Sequence, residues 1–258
     1  MEPARTGDPL AGNLAGTSAE FRPDPELGRL FTGVRIVRGT DASQDGRLRF
    51  DALARYLQDV AEDDVADAGW DEPYGWLVRR CAVTIRGYPR VGEEVLLRTF
   101  CSGTGPRWAE RTTTVCGAAG DVMQATALWA AVCVEDGRPV ALGHEFQRLY
   151  GPSTRGRTVS ARLSHPRPPA GASAGAWPLR STDFDIAGHV NNSVHWAAAE
   201  DVLALAAANW LPSTAEVEYR RPIQREHEPR LVIVEEGCAL SAWLIDEAGQ
   251  FASVRLGR

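Results

Sequence analysis

Thr182-Asp183-Phe184-Asp185-Ile186-Ala187-Gly188-His189-Val190-Asn191-Asn192 decides how this chain is read, because the same frame occurs earlier. Around Thr40-Asp41 the sequence runs to Asp45-Gly46-Arg47-Leu48 and then into a segment with Phe50, Leu53, Leu57, Val60 and Ala61 at helical spacing. Thr40/Thr182, Asp41/Asp183, Gly46/Gly188, Leu48/Val190, Asp59/Asp201 and Val60/Val202 all lie 142 positions apart (182 less 40). After each helix comes a strand-like run, Val83 to Pro89 and Val217 to Pro222, now 134 positions apart (217 less 83). Apolar strands follow in both halves: Val95-Leu96-Leu97, Arg107–Val115 and Thr126–Val134 in the first, Leu231–Val234, Ala242–Ile245 and Phe251–Val254 in the second. Two helices, each followed by several strands, predict two antiparallel α+β units.

The quoted run also concentrates chemistry. Asp183, Asp185 and His189 fall within seven residues, Gly188 breaks the backbone, and Asn191 or Asn192 can cap the helix that begins at Ser193. A helix N-terminus offers unpaired N–H groups and partial positive charge, which suits an oxyanion. A capped turn carrying a surface histidine would give the same spacing. His195 reads as a packing residue, Glu218 as an exposed strand carboxylate, and Glu62, Asp63, Asp64 and Asp67 as a solvated helix face rather than a metal site. Trp76, Trp108 and Trp129 read as core residues by default.

Composition narrows the class. The chain has 258 residues, 44% hydrophobic and 24% charged, with net charge -6, so no overall attraction to nucleic acid or an anionic membrane is expected. No apolar run is long enough to span a bilayer, and a cytoplasmic location is expected. Five scattered cysteines without metal-ligand spacing argue for free thiols. Residues 1–28 read as a disordered tail, 29–150 as the first unit, 151–179 as a solvated Pro/Gly/Ala/Ser-rich linker, and 180–258 as the unit that carries the site.

Two segments resemble the acyl-acyl-carrier-protein thioesterase family. One is Trp76-Leu77-Val78 through Ile85-Arg86-Gly87-Tyr88-Pro89-Arg90-Val91-Gly92-Glu93-Glu94-Val95, similar to the family's R-Y-P-R-x-G-E-x-V strand pair. The other is Arg180 to Glu200, similar to its S-D-x-D-x-N-x-H-V-N-N block. The resemblance implies a tandem (double) hot dog fold in the α+β class, with two long helices each wrapped by an antiparallel sheet and the sheets joined side by side. It also implies hydrolysis of fatty acyl-carrier thioesters to a free fatty acid and the carrier thiol, with no metal or organic cofactor. Asp185 and His189 fall on the catalytic positions, with Gly188, Val190 and Asn191 as backbone support for the oxyanion. The family's Asn between them is Ala187 here, and its Glu after E-Y-R-R is Pro222. Asp185-Ile186-Ala187-Gly188 also resembles the D-x-A-G segment of 4-hydroxybenzoyl-CoA-type single hot dog thioesterases, where the Asp acts alone with helix amides. The partner expected is acyl carrier protein or acyl-CoA, and the chain is expected to be a pseudo-dimeric monomer or a homodimer. The alternatives are an acyl-CoA or polyketide-type thioesterase, or a catalytically weakened acyl-carrier binding protein.

Overall fold

A computed structural model describes residues 20–71, 74–206 and 209–258. Ten strands form one antiparallel sheet in the order β1-β3-β4-β5-β2-β7-β10-β9-β8-β6. The first half supplies β1 (Phe31–Ile36), β2 (Gly75–Ile85), β3 (Glu94–Thr104), β4 (Trp108–Gly117) and β5 (Gly120–Val132). The second supplies β6 (Ala174–Ala176), β7 (Thr214–Tyr219), β8 (Arg230–Glu236), β9 (Ala239–Asp246) and β10 (Gly249–Gly257). Reading outward from the middle, β2-β5-β4-β3-β1 is mirrored by β7-β10-β9-β8-β6, the arrangement that the duplicated sequence implies. β2 and β7 pair from Arg80↔Glu218 to Thr84↔Thr214, so the two sheets are joined edge to edge, as expected for the tandem hot dog.

The sheet curls around two helices, α1 (Phe50–Ala68) and α3 (Asn192–Leu205); α2 (His144–Thr154) packs on β3 at the far end. α1 ends at Gly69 in the left-handed conformation, its N–H returning to the carbonyls of Val65 and Ala66. Alternation along β7 sends Ala215, Val217 and Tyr219 to the helix side and Glu216 and Glu218 to the outer side. Phe50 of α1 and Trp196 of α3 stack with ring centroids 5.8 Å apart, fixing the two helices to one core. A second aromatic cluster of Trp70, Tyr74, Phe146 and Tyr150 sits under α2.

Four expectations change with packing. Asp64 is fully buried, bonded to Arg29 and, at 2.7 Å, to Arg111, so only part of the acidic face of α1 is solvated. Glu218 is fully buried rather than exposed, accepting from the amides of Ser164 and His165 and from Arg220. Ser164 and His165 belong to the segment read as a solvated linker. Residues 151–154 complete α2, and the chain beyond it straps the outer face of the sheet. Trp108 holds the Val159 carbonyl at 2.8 Å, Trp243 holds that of Pro166 at 2.8 Å, and His165 Nδ1 lies 2.9 Å from Ser253 Oγ. Burial of the outer strand face and its carboxylates needs those donors, which hydropathy cannot reveal. Of the stretch read as a tail, residues 20–28 lie along the first half: Arg22 exchanges two hydrogen bonds with Gln124, and Asp24 pairs with Arg98 at 2.7 Å. Residues 1–19 lie outside the described residues.

Candidate active site

The two copies of the quoted frame share four backbone hydrogen bonds. In the first, Ser43 N–H bonds Arg47 O at 2.9 Å, Gly46 N–H bonds Ser43 O at 2.9 Å, Leu48 N–H bonds Pro89 O at 2.8 Å and Arg49 N–H bonds Asp41 O at 2.9 Å. In the second, Asp185 N–H bonds His189 O at 2.8 Å, Gly188 N–H bonds Asp185 O at 3.0 Å, Val190 N–H bonds Ile223 O at 2.9 Å and Asn191 N–H bonds Asp183 O at 2.8 Å. Gly46 and Gly188 have φ of 81° and 75°. A Cβ at Gly188 would meet nothing within 4 Å, so backbone conformation rather than crowding keeps glycine there.

This turn presents Asp185 at the start of α3. Its Oδ1 accepts from Ala187 N–H at 2.9 Å and His189 N–H at 3.2 Å, an Asx turn that fixes the carboxylate and leaves Oδ2 without a partner among the described residues. Asn191 caps the helix, its side chain accepting from Ser193 N–H at 2.9 Å. The amides of Gly188, Val190 and Asn191, expected to support an oxyanion, are all bonded to the carbonyls just named. Among the described residues, the Asn192 N–H and side chain carry no such bond. The His189 ring is half-buried and has no hydrogen-bond partner among the described residues; its amide and carbonyl both serve Asp185.

Two cavities meet at Asp185. One, of about 690 Å³, runs from Asp185, Ile186 and Asn192 into the first half, where Trp70, Trp76, Trp129, Phe146 and Tyr150 line it. Trp76 and Trp129 thus line this cavity, while Trp108 pins the strap. The other, of about 410 Å³, is polar and includes Arg55, Asp59 and Arg180. Gln58 and Glu62 of α1 line both, as Asp185 does. Burial, with Asp59 and Asp63 nearby, pushes the Glu62 carboxyl up. Sequence reasoning passed over Gln58, and read Glu62 as solvated surface and Asn192 as a helix cap rather than as site residues. The repeat held a signal, since Gln58 stands 142 positions before Glu200 (200 less 58). His165, Glu216 and Glu218 on the outer face are the one group among the described residues with metal-ligand proximity; Glu218 is already saturated by its four donors.

Residues 28–150 match the acyl-ACP thioesterase N-terminal domain and residues 169–243 match the acyl-ACP thioesterase C-terminal domain. The chain belongs to the acyl-ACP thioesterase family. Acyl-ACP thioesterases hydrolyse fatty acyl thioesters of acyl carrier protein, and this chain is a thioester hydrolase of that class. Its fold is similar to that of an acyl-ACP thioesterase from Bacteroides thetaiotaomicron, with TM-score 0.74 and 16% identity over 88% of this chain and 97% of that one. It is likewise similar to the 12:0-ACP thioesterase from Umbellularia californica, with TM-score 0.71 and 19% identity over 88% and 96%. The uncharacterized protein Rv2001 of Mycobacterium tuberculosis is 26% identical over 82% of this chain and 85% of its own length. No helix among the described residues is long and apolar enough to cross a membrane.

His195, one turn into α3, is a packing residue in this acyl-ACP thioesterase. It is buried, its Nδ1 lies 3.2 Å from the Asn191 carbonyl, and Tyr219 meets its ring edge-on at 5.2 Å. Burial pushes its pKa down to about 4. Below the unfolded value near 6.5 the unfolded chain therefore takes up a proton that the folded chain refuses until about pH 4. Stability conferred by the neutral ring is complete above pH 6.5 and falls by about 3 kcal/mol as pH drops to 4. Urea unfolding at stepped pH should show that loss, and His195→Leu should remove its pH dependence over this window.

Proposed function

We propose that this chain releases fatty acids from acyl carrier protein with Asp185 as the acid–base group. The carrying observation is the position of the Asp185 carboxylate, anchored through Oδ1 where an aromatic-walled cavity meets a polar one at the start of α3. The acyl group enters the aromatic cavity of the first half, and the pantetheine arm lies in the polar cavity. In this reading the thioester lies between Asp185 Oδ2 and the Asn192 N–H. Oδ2 takes a proton from water as the water oxygen bonds the carbonyl carbon. The carbonyl oxygen, now anionic, rests on the Asn192 N–H at the positive end of α3. Collapse of that intermediate breaks the C–S bond and passes the proton to the leaving sulfur, giving acid and carrier thiol. His189 serves Asp185 through its main chain, and no metal or organic cofactor takes part.

The five rings along the cavity also favour a second substrate reading, because flat, conjugated acyl groups stack on aromatic walls better than saturated chains do. Thiol release is therefore measured with saturated acyl-ACP of several lengths, with the matching acyl-CoA series, and with an aromatic or polyketide-type acyl-ACP. Turnover fastest on an acyl-ACP is the expected result. Tight binding of acyl-ACP without thiol release on any substrate would make the chain a carrier-binding protein instead.

A further inference from the structure

The family's side-chain amide between Asp and His is missing at Ala187, yet the site holds another amide side chain at Gln58. The repeat says where that side chain reaches. The frame shift of 142 places Gln58 on Glu200, Asn192 on Phe50 and His189 on Arg47 (200 less 58, 192 less 50, 189 less 47). In the first half the helix-opening amide, Phe50 N–H, donates to Glu200 Oε1 of α3 at 2.8 Å. Arg47 closes on the same carboxylate at 2.6 Å and 3.0 Å. An anionic oxygen therefore already sits on the first amide of α1, delivered by the facing helix. The bonded frames around the two turns are the same, so the related place in the second half is the Asn192 N–H, and the side chain facing it is Gln58.

The difference between the halves is chemical. Glu200 is an anion that fills its own hole, locked by Arg47. Gln58 is neutral, has no hydrogen-bond partner among the described residues, and lines both cavities beside Asp185. A carboxamide can donate two N–H bonds where a carboxylate only accepts. We propose that Gln58, reaching across from α1, is a catalytic residue whose Nε2–H donates to the thioester carbonyl oxygen together with the Asn192 N–H. The first half then supplies half of the oxyanion site, and neither half is complete alone. The proposal rests on the hydrolase reading above.

The test pairs Gln58→Leu, which removes the donor, with Gln58→Glu, which restores the arrangement of the first half and places an acceptor on the Asn192 amide. Removing one such donor costs about 100-fold or more in kcat. Gln58→Leu should lose about that much with KM and melting temperature near those of the wild type, and Gln58→Glu should lose at least as much. A kcat for either variant within threefold of wild type overturns the proposal. If Gln58→Leu fails to fold, the isosteric Gln58→Glu decides alone. A second readout separates this idea from the hydrolase reading. An acyl-pantetheine trifluoromethyl ketone, whose hydrate mimics the tetrahedral intermediate, should bind wild type at least tenfold more tightly than it binds Gln58→Leu. Equal binding overturns the role of Gln58 even if the wild type releases no thiol from any substrate.

Discussion

Asp185→Asn should lower kcat on acyl-ACP by about a thousandfold and leave the melting temperature unchanged. The second half of that expectation follows from the turn. An Asn side-chain oxygen accepts from the Ala187 and His189 amides as Oδ1 does, so the loop keeps both bonds. The first half follows from Oδ2, which becomes an NH2 group unable to take a proton from water. Positioned general bases are worth about 10²–10⁴ in rate, and the base proposed here has no second acid at position 187 or 222. His189→Ala provides the contrast. Its main-chain bonds to Asp185 survive, so a loss of less than about tenfold is expected if the ring stays outside the reaction. Single-turnover thiol release measures both. A fast Asp185→Asn variant would remove Asp185 from the chemistry, and a His189→Ala variant as slow as Asp185→Asn would place the imidazole in it.

Glu200→Ala should be the costliest single change to stability. Arg47 is 6% exposed and meets Glu200 through both of its terminal nitrogens, while Phe50 N–H opens α1 on the same carboxylate. Arg49, at the N-cap position of α1, makes no capping bond with its side chain, so Glu200 of the other half takes that part. Truncation leaves a buried guanidinium and a helix-end amide without their acceptor. Breaking a buried pair on one side costs about 3–5 kcal/mol, or a melting temperature lower by about 10 °C for a chain of this size. Differential scanning calorimetry reads it directly. The double change Arg47→Met with Glu200→Leu should recover most of the loss, because apolar partners of similar volume need no charge balance. A Glu200→Ala protein melting within 2 °C of wild type would mean that the two halves do not depend on this contact.

The duplication was legible because it lives in positions: Thr40 with Thr182, Gly46 with Gly188 and Leu48 with Val190 keep one spacing through a turn and a helix start. That spacing carried the two-unit architecture, and the alternating runs carried eight of the ten strands. β1, β6 and α2 were not legible. β6 is three residues long, and α2 contains Gly151 and Pro152, which locally argue against a helix. Asp64 and Glu218 read as surface charges because partners such as Arg111 and Ser164 lie far away in sequence. At the site, Asp185 and its turn could be read from seven residues. Which amide stays free could not, since that depends on Ile223 taking the Val190 N–H and Asp183 taking that of Asn191.

The β2–β7 seam has an evolutionary consequence. A homodimer built from one gene shows every substitution on both sides of its axis, so a residue that improves cohesion at one turn is forced on the reactive turn as well. Covalent fusion through the strap lifts that coupling: Arg47 and Glu200 weld one turn shut, while Gln58, the counterpart of Glu200, lines both cavities and the counterpart of Arg47 is His189, which forms no such pair among the described residues. Drift is then asymmetric. The first-half turn is then free to be tuned for holding the molecule together and the second, under the function proposed above, for turnover, and a lineage can lose the family's Asn at one turn without unpicking the joint at the other.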